Sequence, residues 1–364
     1  MSQPPGFTDA RYPNHVCKIH KVLYGLKQTP RAWFEKLSSK LFELNFVPSK
    51  SDTSLFIRNF DGHITIILVY VDDLIVTGSS NEFIASLVLQ LSNAFAVKDL
   101  GKLHYFLGVE VHYQPTGLIL TQSQYVGKLL DHANMDGVKP IGTPMATGFQ
   151  LSQYGSSSFL DPSLYRNLIG ALQYITITRP DVSLTINKLC QFMHNPMDFN
   201  FTAMKCLLRY LKATINFSLH LCSASSLPLQ AFTDVDWPGC PDDRWPTNGY
   251  CLFLGTNLVS WSSKEQRVVA RSSTEAEYRA LAATTAEVTW LQHLLQELHK
   301  WLNGDKLKSL RVGVLDVEQR YKVEEDVVEG HVLEVVRSYE MISLGRHKIC
   351  YGMKGLYEGK ERRK

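Results

Sequence analysis

The sequence predicts an α/β (α+β) protein with more than one domain, and three observations carry that expectation. Apolar runs of strand length, punctuated by Asp61-Gly62 and Pro115-Thr116-Gly117, alternate with helical patterns in the first third. Helix periodicity then dominates residues 163–213. Three short strand patterns and one long helical stretch, Thr274 to His299, follow. With 364 residues and a hydrophobic content of 45%, the chain can bury a sizeable core, which excludes a largely disordered protein.

The elements follow in order. Residues 1–22 lack periodicity. Pro30 opens a helix with Trp33, Leu37 and Leu41 at four-residue spacing, widened by Phe34 and Phe42. Ser54 to Phe60 reads as a strand, Asp61-Gly62 as a hairpin turn and His63 to Tyr70 as the return. The chain turns again at Asp72-Asp73, and Leu74-Ile75-Val76 runs back. Asn81 suits the N-cap of a helix carrying Phe83, Leu87, Leu91 and Phe95 on one face. Leu103 to Val111 reads as one strand, Leu118 to Leu120 as the next, and Gln122 to His132 as a helix. Gly137 to Ser158 is linker-like. The helices of 163–213 break at Arg179-Pro180 and near Pro196. Ser223 to Pro228 is a second linker. Strands are expected at Gln230–Asp234, Gly249–Leu254 and Leu258–Ser262, and the tail beyond Lys300 is charged and Val-rich.

Bulk properties narrow the function classes. A net charge of +3 does not by itself announce a nucleic-acid partner, although local basic patches can serve. Seven scattered cysteines with no close CxxC pair argue against a zinc site or a disulfide scaffold and suit a reducing compartment. The polar, Pro-rich start does not read as a signal peptide. The longest apolar run, Ile64 to Tyr70, is too short to span a bilayer.

Tyr70-Val71-Asp72-Asp73 closes that run. Adjacent carboxylates at the tip of a buried strand must be solvated, paired or bound to metal. Asp pairs of this kind hold divalent cations that position a nucleoside triphosphate for in-line attack; the bland alternative is a solvated turn. The run Val22-Leu23-Tyr24-Gly25-Leu26-Lys27-Gln28-Thr29-Pro30-Arg31-Ala32-Trp33-Phe34 precedes it, Asp99 to Gly108 follows, and Tyr165 to Tyr174 with Thr178-Arg179-Pro180-Asp181 come later. Together these segments resemble the reverse transcriptase of copia-type LTR retrotransposons, over roughly residues 1–300. The resemblance implies that Asp72 and Asp73 bind Mg²⁺ or Mn²⁺, and that a primer hydroxyl attacks the α-phosphate of a dNTP. It places Gln28 against nucleotide and template. Lys27 and Arg31 then meet phosphates, with solvated helix-start charge as their alternative, and Tyr70 joins the nucleotide- or template-contacting set. Trp33 and Leu37 read as core. Leu107-Gly108 falls in the primer-gripping region, or is a plain strand with a packing glycine. The family's third catalytic Asp precedes Gln3-Pro4-Pro5-Gly6-Phe7. Its strand and the fingers are expected to fall outside this sequence, leaving the apolar strand His63–Tyr70 short of one neighbour.

Gln230 to Trp237 resembles the first strand of the RNase H region of the same polyproteins, and Ala270 to Tyr278 the start of its first helix. On that resemblance Asp234 and Glu277 are metal ligands for hybrid cleavage. Asp236 shares a strand face with Asp234, while Glu275 suits a helix N-terminus. Asp316, after Val312-Gly313-Val314-Leu315, is the nearest candidate for a third ligand, although the expected Asn after it is Val317. Arg244-Trp245-Pro246-Thr247 departs from the family's small polar residues, in a turn where it affects fit more than chemistry. Beyond Lys300 the resemblance is lost.

The expected organisation is a partial right-hand polymerase palm over 1–135, a helical thumb or connection over 136–228, an incomplete RNase H-like mixed sheet over 229–300, and a divergent tail over 301–364. The implied partners are RNA template, DNA primer, RNA–DNA hybrid and dNTPs, with no membrane. The implied setting is intracellular, in cytoplasmic virus-like particles or the nucleus. This copy is expected to be inactive. The alternatives are a non-catalytic nucleic-acid binder, a translated relic that does not fold stably, or an RNase H-like nuclease completed by Asp316.

Overall fold

The computed structural model describes residues 6, 10–12, 14–16, 29–71, 73–95, 97–146, 151–154, 156–223, 227–237 and 242–302. The chain divides into two compact units, Met1–Ser79 and Ser80–Lys364. Over the described residues the class is α+β, and all the strand pairings in its sheets are antiparallel.

In the first unit helix α1 (Thr29–Glu43) precedes a sheet of β1 (Val47–Pro48), β2 (Leu55–Phe60), β3 (His63–Tyr70) and β4 (Asp73–Gly78), in that spatial order. Pro30 sits in the first helical turn, where its missing N–H has no partner to lose. Leu37 and Leu41 are buried, and the Phe34 and Phe42 rings each lie 6.1 Å from that of Phe56 on β2. Asp61 and Gly62 both take positive φ, 52° and 77°, as a two-residue hairpin of primed type requires. Ile64 to Val69 are buried without alternation. The expectation that this strand lacks a neighbour is corrected: β2 and β4 pair with β3 on its two edges, because the chain returns through Asp73–Gly78.

In the second unit α2 (Asn81–Ala94) is capped by Ser80 rather than by Asn81. Ser80 holds the extended backbone that a cap needs, and its Oγ accepts the Phe83 N–H at 3.2 Å. A second sheet orders β5 (Tyr105–Phe106), β6 (Val109–Gln114), β7 (Gly117–Thr121) and β8 (Leu219–Cys222). The single strand expected over Leu103–Val111 is therefore two, broken by a tight turn at Leu107 (φ 48°) and Gly108 (φ 72°). Strand β8 carries no sequence signal of its own. It pairs so closely with β7 that a Cβ on Gly117 would run into the Leu221 carbonyl. Helices α3 (Ser123–His132), α4 (Pro162–Ile175), α5 (Ser183–Cys190) and α6 (Asp198–Ala213) enclose a core that includes Tyr165, Leu168, Leu172, Ile186, Leu207 and Leu211. A third sheet orders β11 (Asn257–Glu265), β10 (Thr247–Leu254) and β9 (Leu229–Asp236). Helix α7 (Ser273–Leu302) packs on β9 and β10, and α5 packs on β11. Over the described residues the expected mixed RNase H-like sheet is these three antiparallel strands.

The Thr178–Asp181 segment is a buried tie. Arg179 is 3% exposed, and its guanidinium bonds both Asp181 oxygens, at 2.9 and 2.7 Å. It also donates to the Thr214 carbonyl and hydroxyl after α6 and lies over the Phe217 ring at 5.2 Å. Burial alone would raise the Asp181 carboxyl. The Arg179 guanidinium and the Tyr210 hydroxyl, 2.9 Å away, outweigh it and hold the pKa below the ordinary value. A lowered carboxyl stabilises the fold above its unfolded-state pKa of about 4, and that contribution is lost as pH falls through the lower folded value. Arg179→Met strands the partly buried Asp181 and two Thr214 acceptors. It is expected to lower stability by on the order of 3 kcal/mol in urea titrations at pH 7, with less loss at about pH 3. An equal loss at both pH values contradicts the pairing.

Candidate metal and nucleic-acid sites

The end of β3 is set by its register. Tyr70 pairs with Asp73, so Val71 and residue 72 form the whole connection to β4. Tyr70 is half-buried and Asp73 is exposed. Val71 has φ 49°. The Trp33 indole N–H, reaching from α1, donates to the Val71 carbonyl at 2.8 Å. Trp33 is therefore only half-buried, a correction to its expected place in the core, whereas Leu37 is fully buried as expected. Arg31 is exposed at the start of α1 and pairs with Glu35 at 2.9 Å, a surface pair of small energy. Lys27, Gln28, Asp72 and Asp316 lie outside the described residues.

In the second unit the Leu107–Gly108 turn is braced by aromatics. The Tyr174 hydroxyl donates to the Leu107 carbonyl, and a Cβ on Gly108 would sit 2.9 Å from the Tyr174 ring. The Tyr125 and Tyr174 rings are 5.2 Å apart, and the Tyr125 hydroxyl bonds the Ala171 carbonyl. Lys102, ahead of β5, lies over the Tyr113 ring of β6 at 3.6 Å. Glu110 is buried, yet its carboxylate accepts Ser123 Oγ–H and Gln124 N–H, each at 3.0 Å, at the positive end of α3.

Around the third sheet the acids separate by role. Asp234 is exposed, and its Oδ1 accepts the Val235 N–H at 2.9 Å. Asp236, two residues on and on the same strand face, pairs with Lys188 of α5 at 3.3 Å. Glu275 receives the Arg271 N–H and pairs with Arg279, each at 2.8 Å, and these bonds lower its pKa. With the Glu275 N–H bonded to Ser272 Oγ, this is a helix cap. Glu277 is half-buried on α7, with Oε2 fully buried, and α7 packs on the strand that carries Asp234. Arg244 turns the chain at φ 57°, with the Trp245 N–H bonded to Asp243. Among the described residues no three His, Cys, Asp or Glu side chains form a group able to hold a metal ion. No helix of the described residues is long and apolar enough to cross a membrane.

Residues 1–147 match the family described as reverse transcriptase (RNA-dependent DNA polymerase). Over 291 residues the chain is 31% identical to the putative transposon Ty5-1 protein of Saccharomyces cerevisiae, covering 79% of this chain and 94% of that one. The chain belongs to the copia-type retrotransposon Pol family. This Pol chain is also 49% identical over 298 residues to the retrovirus-related Pol polyprotein from transposon RE1 of Arabidopsis thaliana, covering 82% of the chain. An uncharacterized mitochondrial protein of the same plant is 48% identical over 224 residues, covering 62% of the Pol chain and 93% of its own length. The Pol chain spans about a fifth of the length of the Arabidopsis polyproteins. No solved structure matches it.

Sequence reasoning missed Trp33 as a partner of the acid turn, because indole donors fit an apolar stripe as well as Leu does. It also missed a polar cleft of about 250 Å³ between α5 and the third sheet, lined by Asn187, Lys188, Gln191, Thr247, Ser263 and Glu265. There Gln191 donates to Glu265 at 2.9 Å. Burial first, and the Asp243 charge second, push the Glu265 carboxyl up to about 7. A raised carboxyl holds its proton in the fold where the unfolded chain has lost it, so stability falls as pH rises from about 4.5 to about 7. Glu265→Gln is expected to flatten that slope and to melt higher than wild type at pH 8. Parallel melting-temperature profiles for the two proteins contradict the raised value.

Proposed function

We propose that this chain is the part of a copia-type Pol polyprotein that presents the paired polymerase aspartates and the first half of an RNase H-like site. The observation that carries it is the β3–β4 hairpin: a strand buried on both faces ends at an exposed carboxylate, Asp73. Carboxylate oxygens there suit a hard divalent cation, Mg²⁺ or Mn²⁺. Asp72 and Asp73 would hold the ion, which when bound lowers the pKa of an attacking hydroxyl and steadies a leaving phosphate. Lys27, Gln28, Arg31 and Tyr70 line the nucleotide and template side, and Leu107–Gly108 supports the primer. Asp234 and Glu277 belong to the second site, with Asp316 its third candidate. The partition into palm (1–135), connection (136–228), RNase H-like region (229–300) and tail (301–364) follows the same likeness. RNA template, DNA primer and dNTPs are the ligands that this function requires.

These 364 residues supply two of the three acids that the resemblance assigns to the polymerase site. The chain assayed by itself is expected to bind an RNA–DNA hybrid with an affinity that falls about tenfold or more between 50 and 200 mM salt. Its extension of oligo(dT) on poly(rA) with Mg²⁺ should stay at the level of Asp73→Asn. Failure to bind the hybrid overturns the nucleic-acid function. Extension that Asp73→Asn lacks overturns the expected inactivity.

A further inference from the structure

The turn that carries the acid pair is strained. Val71 sits at φ 49°, and a β-branched side chain in the left-handed region crowds its own backbone. Glycine or asparagine would adopt this shape far more readily. A valine there needs support from outside the turn, and Trp33 gives it through the 2.8 Å bond from Nε1–H to the Val71 carbonyl. The support is rigid. Helix α1 is anchored by buried Leu37 and Leu41 and by Phe34 and Phe42 against Phe56, and Phe56 pairs with Ile67 of β3. Donor and acceptor therefore ride on elements packed against one another.

We propose that Trp33 is a positioning residue for the acid turn: its indole N–H holds the Val71 carbonyl, keeps the turn left-handed, and so aims the Asp73 carboxylate at a divalent cation. The inference rests on the reading of the acid pair as cation ligands. A structural tie without this role would affect folding alone.

The test uses the 364-residue chain and Mn²⁺, with free Mn²⁺ read by electron paramagnetic resonance. Trp33→Phe keeps a ring and removes the donor. It is expected to weaken Mn²⁺ binding about tenfold, while Trp33→His, which keeps a ring N–H, retains affinity within about threefold. In a Val71→Gly background the Trp33→Phe effect should shrink below about twofold, since glycine holds the left-handed shape unaided. A Trp33→Phe protein that melts lower yet binds Mn²⁺ like wild type overturns the inference, as does an undiminished effect in the Val71→Gly background. Asp73→Asn separates the two levels. If it binds Mn²⁺ like wild type, the cation reading falls and the inference with it. If it alone weakens binding while Trp33→Phe does not, only the inference falls.

Discussion

A strand buried on both faces cannot hold a charge within its length, so the charge must wait for the strand's end. Strand β3 is such a strand, with Ile64 to Val69 all buried and paired between β2 and β4. The first position that can carry a solvated carboxylate is beyond Tyr70, and the two-residue connection brings Asp73 directly opposite it. The apolar core thus does more than stabilise the first unit. It fixes where the acids stand, and the left-handed Val71 with its indole partner fixes how the chain leaves the strand.

The second unit handles buried polarity differently, by pairing it. Arg179 is satisfied by Asp181 and Thr214, and Glu110 by the start of α3. These are structural commitments, and they remove such residues from the list of free ligands. Asp234 stands apart, exposed on the strand next to α7 and bonded to its neighbour's N–H. Glu275 is spent on capping α7, whereas Glu277 lies half-buried on the same helix, which packs on the strand of Asp234. The Glu265 cleft shows the same pairing: a carboxyl that burial and Asp243 push up to about 7 accepts a hydrogen bond from the Gln191 amide.

Most of the architecture was legible in the sequence because each element has a local cause. The Asp61-Gly62 turn, the Pro30 helix start and the long period of α7 all read correctly. What failed had a non-local cause. Strand β8 exists only because β7 offers an edge, and four residues without a pattern cannot announce a partner about a hundred positions away. The break at Leu107–Gly108 depends on Tyr174 from α4. Ser80 displaced Asn81 as the cap by one position, since the two residue types serve equally well. Of the candidate sites, the residue types and their strand positions were legible, while the commitments of Asp236, Glu275 and Trp33 needed the packed helices to reveal them.

The most direct test of the central claim, that the β3–β4 turn is a cation-holding site, is crystallographic. Crystals grown with Mn²⁺ and measured at the manganese absorption edge locate the ion without reference to activity. An anomalous peak roughly 2.1 Å from an Asp73 carboxylate oxygen is the expected result. Full Mn²⁺ occupancy elsewhere in the chain, with none beside Asp73, would contradict it.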